Sequence, residues 1–326
     1  MFRFVLRRLL WAIPLLILIT FLVFAAVRAS NDPVAAFKRA NPRTTPEQLV
    51  IYAKKNGLVG SIPSQYWHWV KTFVQGDLGN SIKTNQPVWK DLRQAAANTI
   101  VLGLFATSLS IPIGLAIGVV AARKQYSFFD SFATTTAFVG VSVPPFISGV
   151  LLKLLFAIGL TKWFGLSKPF LPTAGIYPPG HQGFDLFLRI KHMILPAIVL
   201  AIQSIAIYSR LMRASLLEVL NSDYMRTARA KGISETRVLF RHGLRNALIP
   251  IVNYGALDIG SILGGLIITE RIFEQKGLGN FFLTALGNGD YPQLMPYMVI
   301  TVISVIVFNL LADLSNGWLD PRIRLG

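Results

Sequence analysis

The first long apolar stretch, residues 9–27, reads LLWAIPLLILITFLVFAAV and contains no charged side chain. As an α-helix it would be about 28 Å long, close to the roughly 30 Å thickness of the hydrocarbon core of a bilayer. Basic residues precede it, so a cleaved signal peptide is the alternative. The run is longer than the usual core of such a peptide, and no clear small-residue cleavage site follows it. We therefore predict an uncleaved first membrane helix.

The composition also departs from that of a soluble domain. The 326 residues are 53% hydrophobic and only 14% charged, whereas soluble proteins carry about one quarter charged residues. The chain has no cysteine and four widely separated histidines, which excludes disulfides, thiolate metal sites and a local histidine ligand motif. We expect no metal site in this chain.

Further apolar stretches follow, and we predict an all-α polytopic membrane protein with six transmembrane helices. The predicted spans are residues 1–30, 99–122, 132–160, 194–215, 248–269 and 295–313. A long external loop, residues 31–98, separates the first two spans. Residues 99–315 form the predicted membrane core, which includes a cytosolic segment at 217–247, and residues 316–326 form a cytosolic C-terminus. Arg210 and Arg213, at the end of the fourth span, are expected to extend towards the headgroups.

The net charge of +17 is explained by where the lysines and arginines lie. Most of them are in the segments that share a face with the two termini, and few are in the short loops of the opposite face. The long loop 31–98 is also basic, but loops of that length cross the membrane regardless of charge. Both termini are therefore predicted to be cytosolic. Because the basic residues are divided between two faces, we expect no nucleic-acid partner.

The sequence contains none of the short motifs that carry common enzyme chemistry. The phosphate-binding pattern G-x-x-x-x-G-K-[ST] and the nucleophile elbow G-x-S-x-G are both absent. We therefore expect that the chain is not itself an enzyme.

The cytosolic segment 217–247 is polar but rich in helix signals. Ser222 and Asp223 are candidate caps for a helix from Tyr224 to Lys231, and Gly232 is expected to end it in a left-handed conformation. A second helix, residues 235–246, is predicted to follow Ser234. One interpretation is a basic hairpin that only fixes the topology. The other is a docking surface, since small residues allow a second protein to approach closely; these are Thr227, Ala228, Ala230 and Gly232.

This segment resembles part of a known family. Residues 224–232 read YMRTARAKG and residues 241–250 read RHGLRNALIP, and together they resemble the cytosolic signature of ABC importer permeases of the dipeptide and oligopeptide branch. Further co-linear stretches resemble that branch over nearly the whole chain. They are LRRLL at 6–10, IP at 13–14, NDP at 31–33, GDLGNS at 76–81, PV at 87–88, ERIF at 270–273, GLG at 277–279 and DYP at 290–292.

The sequence departs from the pattern of the branch at a few external positions. Lys276 stands where a proline is usual, Gly289 where a basic residue often precedes DYP, and Ala97-Asn98 where a proline commonly precedes the threonine of the second span. None of these positions lies in the cytosolic segment.

The resemblance implies a subunit of a type I importer in a bacterial inner or plasma membrane. The implied partners are a second homologous permease, two ATP-binding subunits or one fused ATPase, and an extracytoplasmic binding protein that delivers peptides. ATP and magnesium would be bound by the ATPase subunits, with no cofactor in this chain. Loop 31–98 is then expected to form a small subdomain that contacts the binding protein.

The resemblance also implies that the cytosolic helix couples the permease to an ATPase. The residues expected to do so are Tyr224, Arg226, Thr227, Ala228, Arg229, Ala230, Lys231 and Gly232.

Alternative substrates within the branch are glutathione, nickel chelates and oligosaccharides. An alternative of another class is a membrane anchor or assembly factor that recruits a cytosolic partner without transport.

The fifth span contains polar residues that suit a transport pathway. Asp258 lies near mid-bilayer, where an ionised carboxylate facing lipid would cost at least about 2.5 kcal/mol, so it must face protein or water. Asn253, Tyr254 and Ser261 are the other candidate pathway residues. The alternative for Asp258 is a structural hydrogen bond at a helix contact.

Two features of the third span also leave two interpretations open. Pro144-Pro145 is either a fixed kink or a gate, because proline removes backbone donors. Lys153 either pairs with Asp258 or extends to a headgroup.

Overall fold

The computed structural model describes residues 2–30, 32–262, 264 and 266–319. The described chain is helical, with an isolated antiparallel bridge between Asn80 and Pro87, and the predicted all-α fold is confirmed. Residues 320–326 of the predicted cytosolic C-terminus, and Asn31 of the NDP stretch, lie outside the described residues.

The helices follow one another along the chain, and most connections are short; residues 164–185 form a longer connection without helix. In order, they are α1 (Phe2–Ser30), α2 (Pro33–Ala40), α3 (Pro46–Lys55), α4 (Ile62–Val74), α5 (Val88–Arg123), α6 (Phe128–Ser142), α7 (Pro145–Leu154), α8 (Leu160–Trp163), α9 (Leu186–Leu220), α10 (Asp223–Ala230), α11 (Glu235–Arg237), α12 (Leu244–Ala247), α13 (Ile249–Ile262), α14 (Ile267–Ile272), α15 (Leu278–Asn288) and α16 (Tyr291–Leu319). Wider π-helical turns, Leu155–Gly159 and Val238–Gly243, join α7 to α8 and α11 to α12.

Five helices of the described chain are long and apolar enough to cross a membrane. They are Leu10–Ser30, Val88–Arg123, Pro145–Trp163, Leu186–Leu220 and Tyr291–Leu311. The second and fourth predicted spans, 99–122 and 194–215, lie inside the longer helices α5 and α9, because the helices continue past the apolar residues into polar sequence.

The predicted fifth span, 248–269, is not one continuous helix. Helix α13 has 14 residues, about 21 Å at 1.5 Å per residue, and α14 starts only at Ile267. The sequence after Ile262 contains two adjacent glycines at 264–265, which disfavour helix by about 1 kcal/mol each relative to alanine.

The predicted break in the third span is present. Helix α6 ends at Ser142 and α7 starts at Pro145. Since Pro144 and Pro145 have no N–H group, the carbonyls of Gly140 and Val141 lose their helical donors, and the helix cannot continue.

The residues cluster into two compact units. The first comprises Met1–Thr99, Leu263–Ile267 and Lys276–Val307, and the second Ile100–Ile262, Ile268–Gln275 and Phe308–Gly326. In the first unit, Phe24 of α1 is fully buried against Tyr66 of α4 and Tyr291 of α16. The hydroxyls of Thr20 and Tyr66 lie 2.8 Å apart. Much of loop 31–98 is therefore helical and packs on the first helix.

In the second unit, helix α9 packs closely against α5. A β-carbon added at Gly114 would lie 2.6 Å from Cβ of Tyr208, and one at Gly118 would lie 2.6 Å from Cβ of Met212. Only glycine allows this approach, because real β-carbons do not come so close. The core beside this contact contains Tyr208, Met212, Leu216, Leu239 and Ala247.

Candidate functional site

Helix α10 begins and ends within one residue of the bounds that the sequence signals predict. Ser222 adopts the extended N-cap conformation (φ −73°, ψ 154°), but its hydroxyl donates to the carbonyl of Val219 at 2.6 Å instead of capping the helix. Gly232 has φ +73°, and its N–H donates to the carbonyl of Arg229 at 2.9 Å. The left-handed conformation reverses the chain at Gly232, as predicted, and a side chain there would be strained.

The segment after Gly232 packs back on α10. Met225 and Val238 are fully buried, and with Ala228 they form a small core beside Val219 and Leu220. The predicted second helix is present as α11 and α12 with a π-helical turn between them. Ala228 therefore points into the hairpin and supports it, which differs from the docking position predicted for it.

Polar contacts fix the same hairpin. Arg229 Nε donates to Glu235 Oε1 at 2.9 Å, and Asn246 Nδ2 donates to the hydroxyl of Tyr224 at 3.0 Å. The Arg229 guanidinium also reaches the carbonyl of Leu220, the last residue of α9, at 3.4 Å. Helix α10 is thereby tied both to the end of α9 and to the segment that leads into α13.

The remaining predicted coupling residues form an accessible basic surface. Tyr224, Arg226, Thr227, Ala230, Lys231 and Gly232 are exposed, and Arg229 is partly exposed. The open space around Gly232, with no atom within 4 Å of an added β-carbon, leaves room for a second protein.

Two of the four predicted pathway residues lie together in a polar cluster. Asp258 Oδ2 accepts a hydrogen bond from the hydroxyl of Tyr208 at 2.9 Å. The ring of Tyr254 stands edge-on to that of Tyr208, with centroids 5.3 Å apart. The carboxylate therefore bonds across a helix contact between α13 and α9, and it is only half-buried.

The other two pathway candidates lie outside this cluster. Ser261 is exposed, and its hydroxyl donates to the carbonyl of Asp258 in its own helix at 2.7 Å. Among the described residues, Asn253 has a buried Oδ1 atom that accepts no hydrogen bond. Lys153 does not pair with Asp258. Its Nζ donates to the carbonyl of Ile272 at 2.9 Å and lies 3.5 Å from Glu274 Oε1.

A buried ion pair between Asp130 and Arg213 was missed in the sequence analysis. Arg213 Nε lies 2.5 Å from Asp130 Oδ1, and Nη2 lies 2.7 Å from Oδ2. The predicted extension of Arg213 to the headgroups is therefore wrong, because its guanidinium is turned onto α6. The backbone N–H of Tyr126 also donates to Asp130 at 3.0 Å. The hydrogen bonds from Arg213 hold the pKa of Asp130 below its ordinary value.

Two sequence stretches that were noted separately, GDLGNS and DYP, meet in the first unit. The hydroxyl of Ser81 donates to Asp290 Oδ2 at 2.5 Å, and the N–H of Ile82 donates to Oδ1 at 3.2 Å. Asp290 is 1% exposed, so these bonds replace the water that its carboxylate loses. The GDLGNS and DYP stretches thus form one structural element.

The departures from the pattern of the branch have local structural explanations. The side-chain amide of Asn98 donates to the carbonyl of Lys276 at 2.8 Å, so two of the departing positions contact each other. Gly289 has φ +63° and ends α15 in the left-handed conformation, which a basic residue adopts less readily.

Comparison with known proteins agrees with this architecture over the full length of the chain. The N-terminal residues 1–103 match the family described as "Binding-prot-dependent transport system membrane comp, N-term". The "Oligopeptide transport system permease protein AppB" of Bacillus subtilis is 39% identical over 99% of this chain and 100% of its own length. The "Dipeptide transport system permease protein DppB" of Escherichia coli K12 is 38% identical over 99% of both chains.

Solved structures show the same fold at low sequence identity. An amino acid ABC transporter crystallised with histidines has a TM-score of 0.52 and 15% identity, over 70% of this chain and 94% of that one. A methionine ABC transporter, MetNI, in an inward-facing conformation has a TM-score of 0.51 and 16% identity, over 71% and 96%. With residues 114–325 matching the family model itself, this multi-pass membrane protein belongs to the binding-protein-dependent transport system inner membrane components.

Proposed function

We propose that this permease imports dipeptides or oligopeptides in an ATP-driven complex. Its partners are a second homologous permease, two ATP-binding subunits or one fused ATPase, and an external binding protein that delivers the peptide. The full-length likeness to peptide permeases of two bacteria supports the substrate class. ATP and magnesium belong to the ATPase subunits, and both termini of this chain are cytosolic.

The exposed hairpin at residues 223–247 is the observation that carries the coupling role. Helix α10 presents a surface of basic and small residues. It follows α9 directly in the chain, and Arg229 also donates a hydrogen bond to the carbonyl of Leu220 at the end of α9. A helix held in this way moves with α9 when an ATPase displaces it. ATP-driven closure of the two ATPases would then displace the fourth and fifth spans as a rigid body.

The pathway proposal is restricted to the polar cluster. Asp258 and Tyr254 face Tyr208 across a helix contact, where a half-buried carboxylate lies within reach of the polar groups of a passing peptide. Pro144-Pro145 acts as a fixed kink in this proposal, because backbone hydrogen bonds to Pro144 restart α7 immediately after the break.

The proposal is tested by deleting the gene for this chain in its native strain and expressing the chain again from a plasmid. A strain lacking the chain should lose uptake of a radiolabelled dipeptide and a radiolabelled tetrapeptide, and wild-type chain should restore at least one of them. Mild-detergent pull-down of the tagged chain should recover a second permease and ATPase subunits in a fixed ratio. Recovery of the chain without ATPase subunits, or unchanged uptake in the deletion strain, would refute the proposal.

A further inference from the structure

Helix α6 is fastened to α9 near its cytosolic end by the Asp130–Arg213 pair. The two hydrogen bonds of 2.5 and 2.7 Å make the pair bidentate, and the side chain of Asp130 is 4% exposed. A planar guanidinium bound through two nitrogens fixes orientation as well as distance. Rotation or sliding of α6 relative to α9 would break both bonds at once.

A second polar bond holds the opposite end of α6. The carbonyl of Val143, at the proline break, accepts a hydrogen bond from the side-chain amide of Gln203 at 3.3 Å. In a continuous helix this carbonyl would bond to the N–H of residue 147, but that N–H donates to Pro144 instead. The side chain of Gln203 therefore takes the place of the helical donor at the end of α6.

Between these two bonds the helices lie in direct contact. A β-carbon added at Gly140 would lie 3.5 Å from Cβ of Ala206. Arg210 adds a cation–π contact, with its guanidinium carbon 4.6 Å from the centroid of the Phe138 ring. Helix α6 is thus attached to α9 along its whole length, from Asp130 to the break.

Helix α9 continues almost directly into the coupling helix. Arg213 lies seven residues before the end of α9 at Leu220, about 10 Å along the helix, and two residues, Asn221 and Ser222, separate α9 from α10. The bond from Arg229 to the carbonyl of Leu220 closes the junction. A displacement of α10 therefore reaches Arg213 through this short junction and the last two turns of α9.

We propose that Asp130, Arg213 and Gln203 are positioning residues that join α6 and α9 into one lever, which carries movement of the coupling helix to the third span as far as the break before Pro144. The inference rests on the proposed function, because it assumes that an ATPase displaces α10. If these residues only held the structure together, their loss would reduce assembly of the complex. If they also join the two helices into a lever, their loss would in addition lower the amount of peptide transported per ATP hydrolysed by the assembled complex.

The absence of cysteine from the sequence allows a direct test with an engineered disulfide. The 3.5 Å separation of the β-carbons at 140 and 206 suits a disulfide, for which about 3.5–4.5 Å is usual. The full complex carrying G140C and A206C should retain the uptake rate of its reduced form after oxidation, since the two helices move together. Loss of uptake on oxidation, with recovery in dithiothreitol and no effect in the single-cysteine variants, would overturn the lever.

A second experiment asks whether the ion pair sets the coupling ratio. In reconstituted complex of matched subunit content, D130N should lower peptide transported per ATP hydrolysed, while E218Q, which removes an exposed carboxylate from α9, should leave the ratio unchanged. Oxidation of the 140–206 cysteine pair in the D130N background should restore the ratio, because the disulfide replaces the lost tie. A wild-type ratio in assembled D130N, or no restoration by oxidation, would refute the role of the pair.

The two proposals fail in different ways. If the unmodified complex shows no ATP-driven peptide uptake, the proposed function is refuted. If the unmodified complex transports but the disulfide blocks it, the importer assignment stands and the lever is refuted. If D130N does not assemble, the disulfide in the otherwise unmodified chain still decides whether α6 and α9 move together.

Discussion

Substitution of Gly232 should uncouple the permease in proportion to how poorly the new residue tolerates a left-handed backbone. Gly232 has φ +73°, and no atom lies within 4 Å of an added β-carbon, so a side chain is opposed by backbone strain and not by a clash. That strain is about 1–2 kcal/mol for an ordinary L-residue and less for asparagine. One to two kcal/mol changes the ratio of folded to unfolded hairpin by about 5–30-fold. We expect coupling to fall in the order Gly, Asn, Ala, Val.

The assay is ATP hydrolysis stimulated by the binding protein, together with peptide uptake, in complexes of equal chain content. Gly165→Val is the matched control, because Gly165 has φ +60°, open space around it and no part in the hairpin. The control should insert and transport normally. Equal activity of Gly232→Val and Gly232→Asn, or equal loss in the control, would show that the left-handed stop does not govern coupling.

Three further substitutions test other contacts. Asp258→Leu should reduce uptake without preventing assembly, because it removes the carboxylate and leaves the Tyr208 hydroxyl unpaired at a cost of about 1–3 kcal/mol; unchanged uptake would exclude Asp258 from the pathway. Asp290→Leu should make the segment around Ser81 more sensitive to protease, since two donors lose their acceptor, and a wild-type digestion rate would contradict a role for this carboxylate in holding that segment. Gly118→Ala should lower the thermal unfolding midpoint in detergent, because its β-carbon would lie 2.6 Å from neighbouring atoms of α9 and overpacking costs about 1–3 kcal/mol. Gly287→Ala, in helix α15 with open space at its β-carbon, should not lower the midpoint, and equal decreases in the two alanine variants would argue against close packing at 118.

Features encoded locally were predictable from the sequence. The apolar runs located five membrane helices, the proline pair located the break in the third span, and Gly232 located the end of α10. Each depends on backbone chemistry within a few residues. The fifth span was predicted less well. Its hydrophobicity suggested one helix, whereas α13 ends at Ile262, so two adjacent glycines outweighed a favourable apolar average.

Features that join distant residues needed the structure. The partner of Asp258 was left open in the sequence, where Lys153 was one option. The structure gives Tyr208 instead, 50 residues away in the chain. Likewise, nothing in the GDLGNS stretch indicates that Ser81 bonds to Asp290, 209 residues later. Such contacts depend on how helices are placed, which hydrophobic patterns do not specify.

The ion pair of Arg213 combines a local signal, which the sequence shows, with a distant partner, which it does not. A charge near the end of a membrane helix can either extend to water or be paired inside the protein. The sequence alone favours extension, because Arg213 stands where the apolar run of the fourth span gives way to polar residues. The deciding fact is the acidic residue at the start of α6, which is itself costly to bury alone and is 3% exposed. Two charges that would each be unfavourable near the membrane become a fixed contact once α6 and α9 are adjacent. The same adjacency that hides the pair from sequence reasoning is what allows it to transmit movement between the two helices.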